Sequence, residues 1–269
     1  MNLALKIDVD SARATREVVP RLVDTLQRHG ASATFFFSPD PQGAIGGRRR
    51  RTRDLLRHVR DEGFETAVRA RSARRWQQRV RRADPQWVEA EMQSAVDHYA
   101  EVFGEAPWAH AAAGWCMSAH ALRLTQRLGF AYASDGRGTS PHLPVWNGEL
   151  VRCPQFPTTL PTLPELDRHD AGAVASMLLE RTGEAVNDAV FGFCADDDGG
   201  RYAAAFEQLI IGWRAQGFRV VAMRTLYESC DPLALPRCNV GWGTVNGCPH
   251  AVLVQQHEFL DDNPGTQQP

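Results

Sequence analysis

Short apolar runs recur along this chain, and longer stretches that mix apolar with charged positions separate most of them. The first run, LALKIDVD (3–10), reads as a strand that leads into a helix beginning near Pro20 and ending at Gly30. The fixed φ of proline suits a first helical position. ASATFFFS (31–38) reads as the second strand. GRRRRTRDLLRHVRDEG (47–63) reads as a basic helix with Leu55, Leu56 and Val59 as its apolar stripe, and FETAVR (64–69) as the third strand. Asp84-Pro85 opens the next helix by cap chemistry, and Gly104 closes it. Further strands are expected at WAHAAAGW (108–115), YASDGRG (132–138), LVRCPQFP (150–157), VFGFCAD (190–196) and FRVVAM (218–223).

Repeated strand-then-helix units imply parallel strands joined by right-handed crossovers. Seven or eight such units favour a closed or nearly closed barrel over an open sheet, and in such barrels chemistry sits at the C-terminal ends of the strands. The expected organisation is an α/β barrel over residues 1–228 and a C-terminal extension over 229–269. The tail DDNPGTQQP is expected to be disordered.

A hydrophobic content of 43% over 269 residues is enough for one large α/β domain. The formal net charge of −2 excludes a globally basic nucleic-acid binder. Charge is nevertheless uneven. Lys6 is the only lysine, and 14 arginines fall between Arg48 and Arg82. The basic helix within that stretch reads first as a solvated face and second as a surface for anionic lipid headgroups. Six cysteines without a CxxC pair point to reduced thiols. The N-terminus has no signal-peptide pattern, and no window is apolar enough to span a membrane. The expectation is a cytoplasmic protein, at most peripheral to a membrane.

The end of the first strand, Ile7-Asp8-Val9-Asp10, is the first candidate for chemistry. Alternation along a strand puts Asp8 and Asp10 on one face. Two carboxylates at a barrel mouth can divide labour, one ligating a metal and the other acting as general base. A pair of solvated loop aspartates is the equal alternative at this point.

IDVD, TREVVPRL, AAAGW (111–115), SDGRG (134–138) and QFPTTLPTLPE (155–165) stand in an order and spacing that resemble the polysaccharide deacetylase superfamily. Within it they resemble the bacterial deformylases that act on undecaprenyl phosphate-linked 4-deoxy-4-formamido-L-arabinose, from residue 3 to about residue 255. The resemblance implies a distorted barrel of about seven parallel strands and a divalent metal, zinc or manganese. Water on that metal would attack the amide carbonyl, a carboxylate would take its proton and a histidine would protonate the leaving amine. It further implies a lipid-linked aminosugar as partner, the cytoplasmic face of the inner membrane as location, and a place in lipid A modification and polymyxin resistance. Carried over by position, Asp8 would be the base and Asp10 a metal ligand. Gly114, Trp115, Asp135, Arg137, Thr159, Leu160 and Pro161 would frame the sugar pocket.

The chain departs from that pattern where the metal should be. Arg69 and Ala73 stand at the positions of the two metal-binding histidines, although Trp76-Gln77 just beyond still match. Arginine has no lone pair to offer a metal, and catalytic zinc usually takes about three protein ligands. Cys194 stands in place of the general-acid histidine, Cys116 in place of an arginine that orients the base, and Cys248-Pro249-His250 in place of an Arg-Glu-Gly run. The insertion between strands two and three is shortened to residues 39–63. Cys194 and Asp196 share a strand face and could form a substitute site with Asp8 and Asp10. His110 reads as a structural histidine. Two expectations follow: an impaired deformylase, or a pseudoenzyme that binds the lipid-linked sugar or a pathway partner without hydrolysis.

Overall fold

The computed structural model describes residues 1–42, 47–166 and 173–260. The tail at 261–269 lies outside these residues. Strand β1 (Asn2–Ser11) is central, and helices α1 (Ala12–Glu17) and α2 (Val19–Arg28) follow it. Next come β2 (Thr34–Gln42), α3 (Gly47–Asp61), β3 (Glu65–Arg69), α4 (Ala73–Arg79) and α5 (Pro85–Phe103). Then follow β4 (Ala109–Ala111), α6 (Ala119–Arg127), β5 (Tyr132–Ala133), β6 (Leu143–Trp146), β7 (Glu149–Leu150), α7 (Leu163–Leu166) and α8 (Val174–Gly183). The remainder is β8 (Ala189–Cys194), α9 (Asp198–Arg201), α10 (Ala203–Ala215), β9 (Arg219–Val221), α11 (Met223–Glu228), β10 (Arg237–Gly243) and β11 (Val252–Glu258).

The main sheet is parallel, in the order β5-β4-β3-β2-β1-β8, and β9 pairs with the start of β1. It curls into a half-barrel wrapped by helices, the distorted barrel that the resemblance implies and less closed than the repeated units favour. Alternation along β1 divides its side chains between two cores. Leu3, Leu5, Ile7 and Val9 pack outward into the helix layer, whereas Ala4 joins the barrel interior with Phe36, Tyr132 and Phe156. Lys6, Asp8 and Asp10 continue the inward series by alternation. Three alanines, Ala67, Ala109 and Ala111, leave room for those rings inside the small barrel.

Among the described residues no strand joins β5 to β8. Residues 154–160 close that gap irregularly, with Ala133 N donating to Pro154 O (2.8 Å), Phe156 N to Ala133 O (2.8 Å) and Thr159 N to Val190 O (3.1 Å). The strand expected over 150–157 is therefore not formed as such, and of those residues only Leu150 lies in one. Pro154 and Pro157 have no N–H to give a ladder, which keeps the segment from regular pairing.

A second sheet, in the order β11-β10-β6-β7, lies outside the expected pattern. Its β6–β7 hairpin turns at Asn147-Gly148, both with positive φ (52° and 80°), as a tight primed turn requires. Strand β10 pairs parallel to β6 and antiparallel to β11, so the C-terminal segment is tied to residues 143–150 by backbone pairing. Capping at α5 follows the sequence reading: Asp84 accepts from Trp87 N at 2.8 Å, and Gly104 closes the helix in the left-handed region.

Candidate active site

A cleft of about 220 Å³ opens at the C-terminal ends of β1, β3 and β8. Asp8, Asp10, Arg69, Gly114, Trp115 and Cys194 all line it, so six residues singled out from the sequence meet at one mouth. They arrive there for different reasons. Asp8 and Asp10 are consecutive inward positions of β1, Arg69 is the last residue of β3, and Cys194 is the last residue of β8, in register with Asp8.

Gly114 and Trp115 sit in a short 3-10 turn and both take left-handed backbone (φ 60° and 53°). For tryptophan this conformation is uncommon. It is held by a hydrogen bond from Trp115 Nε1 to Thr158 Oγ1 (3.1 Å), with the Arg137 guanidinium 4.9 Å from the ring centroid.

Arg69 dominates the electrostatics. It is 2% exposed and forms ion pairs with both aspartates: Asp8 through Nη1, and Asp10 through Nε at 2.9 Å and Nη2 at 3.2 Å. Burial disfavours its charge, but Asp10 and Asp8 outweigh that cost, and the net effect holds the guanidinium more firmly protonated than usual. Ser38 Oγ bridges the same centre, 3.0 Å from Asp10 Oδ1 and 2.8 Å from Ala70 O. Burial raises the Asp10 carboxyl to about 6, with Arg69 pulling the other way. Beneath the site, fully buried Lys6 donates to Ser134 O (2.9 Å) and lies 3.8 Å from Asp8 Oδ2. Burial drives its pKa down and Asp8 opposes the shift.

Cys194 contributes a thiol rather than an imidazole. Its Sγ lies 3.5 Å from Asp197 Oδ2, and its backbone N–H donates to Asp198 Oδ2 at 2.8 Å. Burial, with Asp10, Asp197 and Asp198 adding to it, pushes the thiol well above its ordinary value.

The donor set does not fit a divalent metal. Both Asp10 oxygens are engaged by Arg69 and one of them also by Ser38, Arg69 has no lone pair, and Ala73 is a buried alanine at the start of α4. Among the described residues no group of three or more His, Cys, Asp and Glu side chains could hold a metal ion. The substitute site imagined from Cys194 and Asp196 is not assembled either, because Asp196 Oδ2 turns to accept the Asp10 backbone N–H (2.7 Å).

Other residues expected at the pocket lie around it. Asp135 is fully buried; it receives the Ala112 N–H (2.9 Å) and the Gln155 amide (3.0 Å) and lies 2.7 Å from His110 Nδ1, so His110 is indeed a partnered structural residue. Arg137 pairs with Glu165 at 2.9 and 3.3 Å, and Glu165 lines the cleft. Thr159 and Leu160 bind back to Val190, and Thr159 faces a separate pocket; Leu160 and Pro161 are outside the lining of the cleft. Lys6, Ser38 and Asp198 were not singled out from the sequence. Only inward alternation on β1 could have flagged Lys6, and nothing local flagged the other two.

The chain matches the polysaccharide deacetylase family over residues 3–133. A protein of Mycobacterium smegmatis described as a polysaccharide deacetylase shares the fold, with a TM-score of 0.69 and 17% identity over 91% of this chain and 94% of that one. A carbohydrate esterase family 4 pseudoenzyme from Bacillus anthracis also shares it, with a TM-score of 0.56 and 11% identity over 84% of this chain and 65% of that one. Fold and sequence likeness are thus to the polysaccharide deacetylases. The chain is also 29% identical, over 85% of its length and 87% of the relative's, to a Shewanella sediminis protein named a probable 4-deoxy-4-formamido-L-arabinose-phosphoundecaprenol deformylase.

Proposed function

We propose that this chain is a member of the deformylase branch whose cleft binds a lipid-linked aminosugar and no longer carries out metal-dependent amide hydrolysis. One observation carries the reading: the Arg69 guanidinium sits between Asp8 and Asp10, and a fixed unit positive charge takes the place that the family resemblance gives to a metal. Ground-state ion pairing of Asp8 with Arg69 and Lys6 also opposes a role as general base. A thiol raised far above neutrality at Cys194 is a weak proton donor for a leaving amine. Trp115 and Glu165 remain in the cleft wall, each braced by Arg137 from behind, and the Trp115 ring offers a face for a sugar.

The lipid-linked substrate comes from the name of the Shewanella relative, while the inner-membrane location and the link to lipid A and polymyxin resistance rest on the deformylase resemblance. Among the described residues no helix is long and apolar enough to cross a membrane, so contact with the lipid would be peripheral. The 29% likeness to that relative favours a second reading, an impaired deformylase. One experiment separates the two: metal content after dialysis, measured together with formate release from the lipid-linked formamidosugar. The expected result is no stoichiometric metal and no formate above background. Stoichiometric zinc or manganese with turnover would refute the binding-only reading.

A further inference from the structure

Asp198, at the start of α9, is 2% exposed and lines the cleft. Its Oδ2 accepts the Cys194 N–H, whereas its Oδ1 is buried with no hydrogen-bond partner. Asp8 is in a similar state. Its Oδ2 faces Arg69 and Lys6, and its Oδ1 is buried and unpartnered. The two carboxylates are close enough for the Asp8 charge to act on Asp198. A buried acceptor left without a donor forfeits the hydrogen bonds that water would give it. Both residues line the cleft, so it holds two carboxylate oxygens that receive no hydrogen bond from the chain.

Charge narrows the class of donor. Lys6 and Arg69 balance Asp8 and Asp10, and Arg137 balances Glu165. Asp197 and Asp198 add two more carboxyl groups at the same cleft, and Cys194 donates to both, through its thiol and its backbone N–H. A divalent ion lacks the ligands it needs here. A primary ammonium brings three N–H donors and one positive charge, and its hydrogen bonds to carboxylates are roughly twice as strong as neutral ones. An N-formyl group would bring a single N–H and set its carbonyl oxygen against carboxylates.

We infer that the cleft selects the free amine of an aminosugar, held between Asp8 Oδ1 and Asp198 Oδ1, over the N-formylated sugar. This rests on the aminosugar reading above and deepens it: the ligand is the amine that deformylation yields, rather than the amide that it consumes.

Calorimetric titration of the full chain with three probes tests it: methyl 4-amino-4-deoxy-L-arabinopyranoside, its 4-formamido counterpart and methyl L-arabinopyranoside. The amine is expected to bind at least about tenfold more tightly than either of the others. Asp198→Asn keeps an oxygen for the Cys194 N–H but removes the charge, and it should bring the amine to within about twofold of the hydroxyl sugar. Should that variant fail to fold, the three-probe comparison on the unaltered chain decides alone. Equal or tighter binding of the formamide overturns the amine preference and leaves the aminosugar reading intact. Binding of none of the three overturns both.

Discussion

Arg69 is a cation that cannot be neutralised at any accessible pH, buried against two carboxylates that need it. Removing one partner of a buried pair leaves the other charges uncompensated, at a cost of about 3–5 kcal/mol. Arg69→Met should therefore lower the unfolding free energy by about that amount in urea titrations, while Arg69→Lys should lose less. A loss under about 1 kcal/mol for the methionine variant would mean that water already screens the pair.

Asp198 makes the opposite contribution. Burial raises its carboxyl from 3.8 to about 7, against the pull of the Cys194 N–H. Because the folded value lies above the unfolded one, its stabilising contribution is complete below about 4 and is lost as pH rises through about 7. Asp198→Asn should flatten the fall in stability between those values. Parallel pH profiles for variant and parent, followed by thermal unfolding, would contradict this account. Arg69 was legible as a departure from the metal pattern. Asp198 was not, since a carboxylate in a DDDGG run looks solvated until the helix behind β8 buries it.

The short turn after β4 shows how an element fixes a side chain. Gly114 has φ 60°, and a Cβ there would meet Gln77 Nε2 at 2.7 Å. Gly114→Ala should cost about 1 kcal/mol from the backbone alone, and more if Gln77 cannot move. The Trp115 ring should then lose its bond to Thr158, which tryptophan fluorescence and chemical unfolding would report; unchanged stability and emission would count against the turn as its anchor.

At this scale much could be read in advance. The strand ends of β1 and β3 and the caps of α5 follow from local patterns, whereas the strand expected over 108–115 stops at Ala111 and gives way to a 3-10 turn at Ala113–Trp115, where Gly114 and Trp115 take left-handed backbone. The segment 154–160 could not be placed locally: it is apolar enough for a strand, but its prolines force a closure that is visible only against β5 and β8. The Asn147-Gly148 hairpin carried a local signal in PVWNGEL that the strand-helix rhythm masked.

For the molecule as a whole, the cleft depends on β1, β3 and β8 ending at one level. If that scaffold is intact, Arg69→His, Ala73→His and Cys194→His together should give a protein that retains about one zinc per chain through dialysis, where the parent retains none. A folded triple variant without zinc would mean that the cleft has drifted beyond its side chains. A pseudoenzyme from Bacillus anthracis with the same fold has a mutant described as having restored activity, which gives the experiment a precedent in that protein.

By itself the sequence determined the parallel barrel and the placing of Asp8 and Asp10 on one face, because alternation is local, and it put Arg69 at the end of β3. Only the tertiary structure decided what Asp8 and Asp10 face. Arg69 neutralises two aspartates from another strand, Lys6 supports them from below, and Asp198 is left with an unmatched oxygen. Those outcomes depend on burial and on distances between residues far apart in the chain, which no local pattern records.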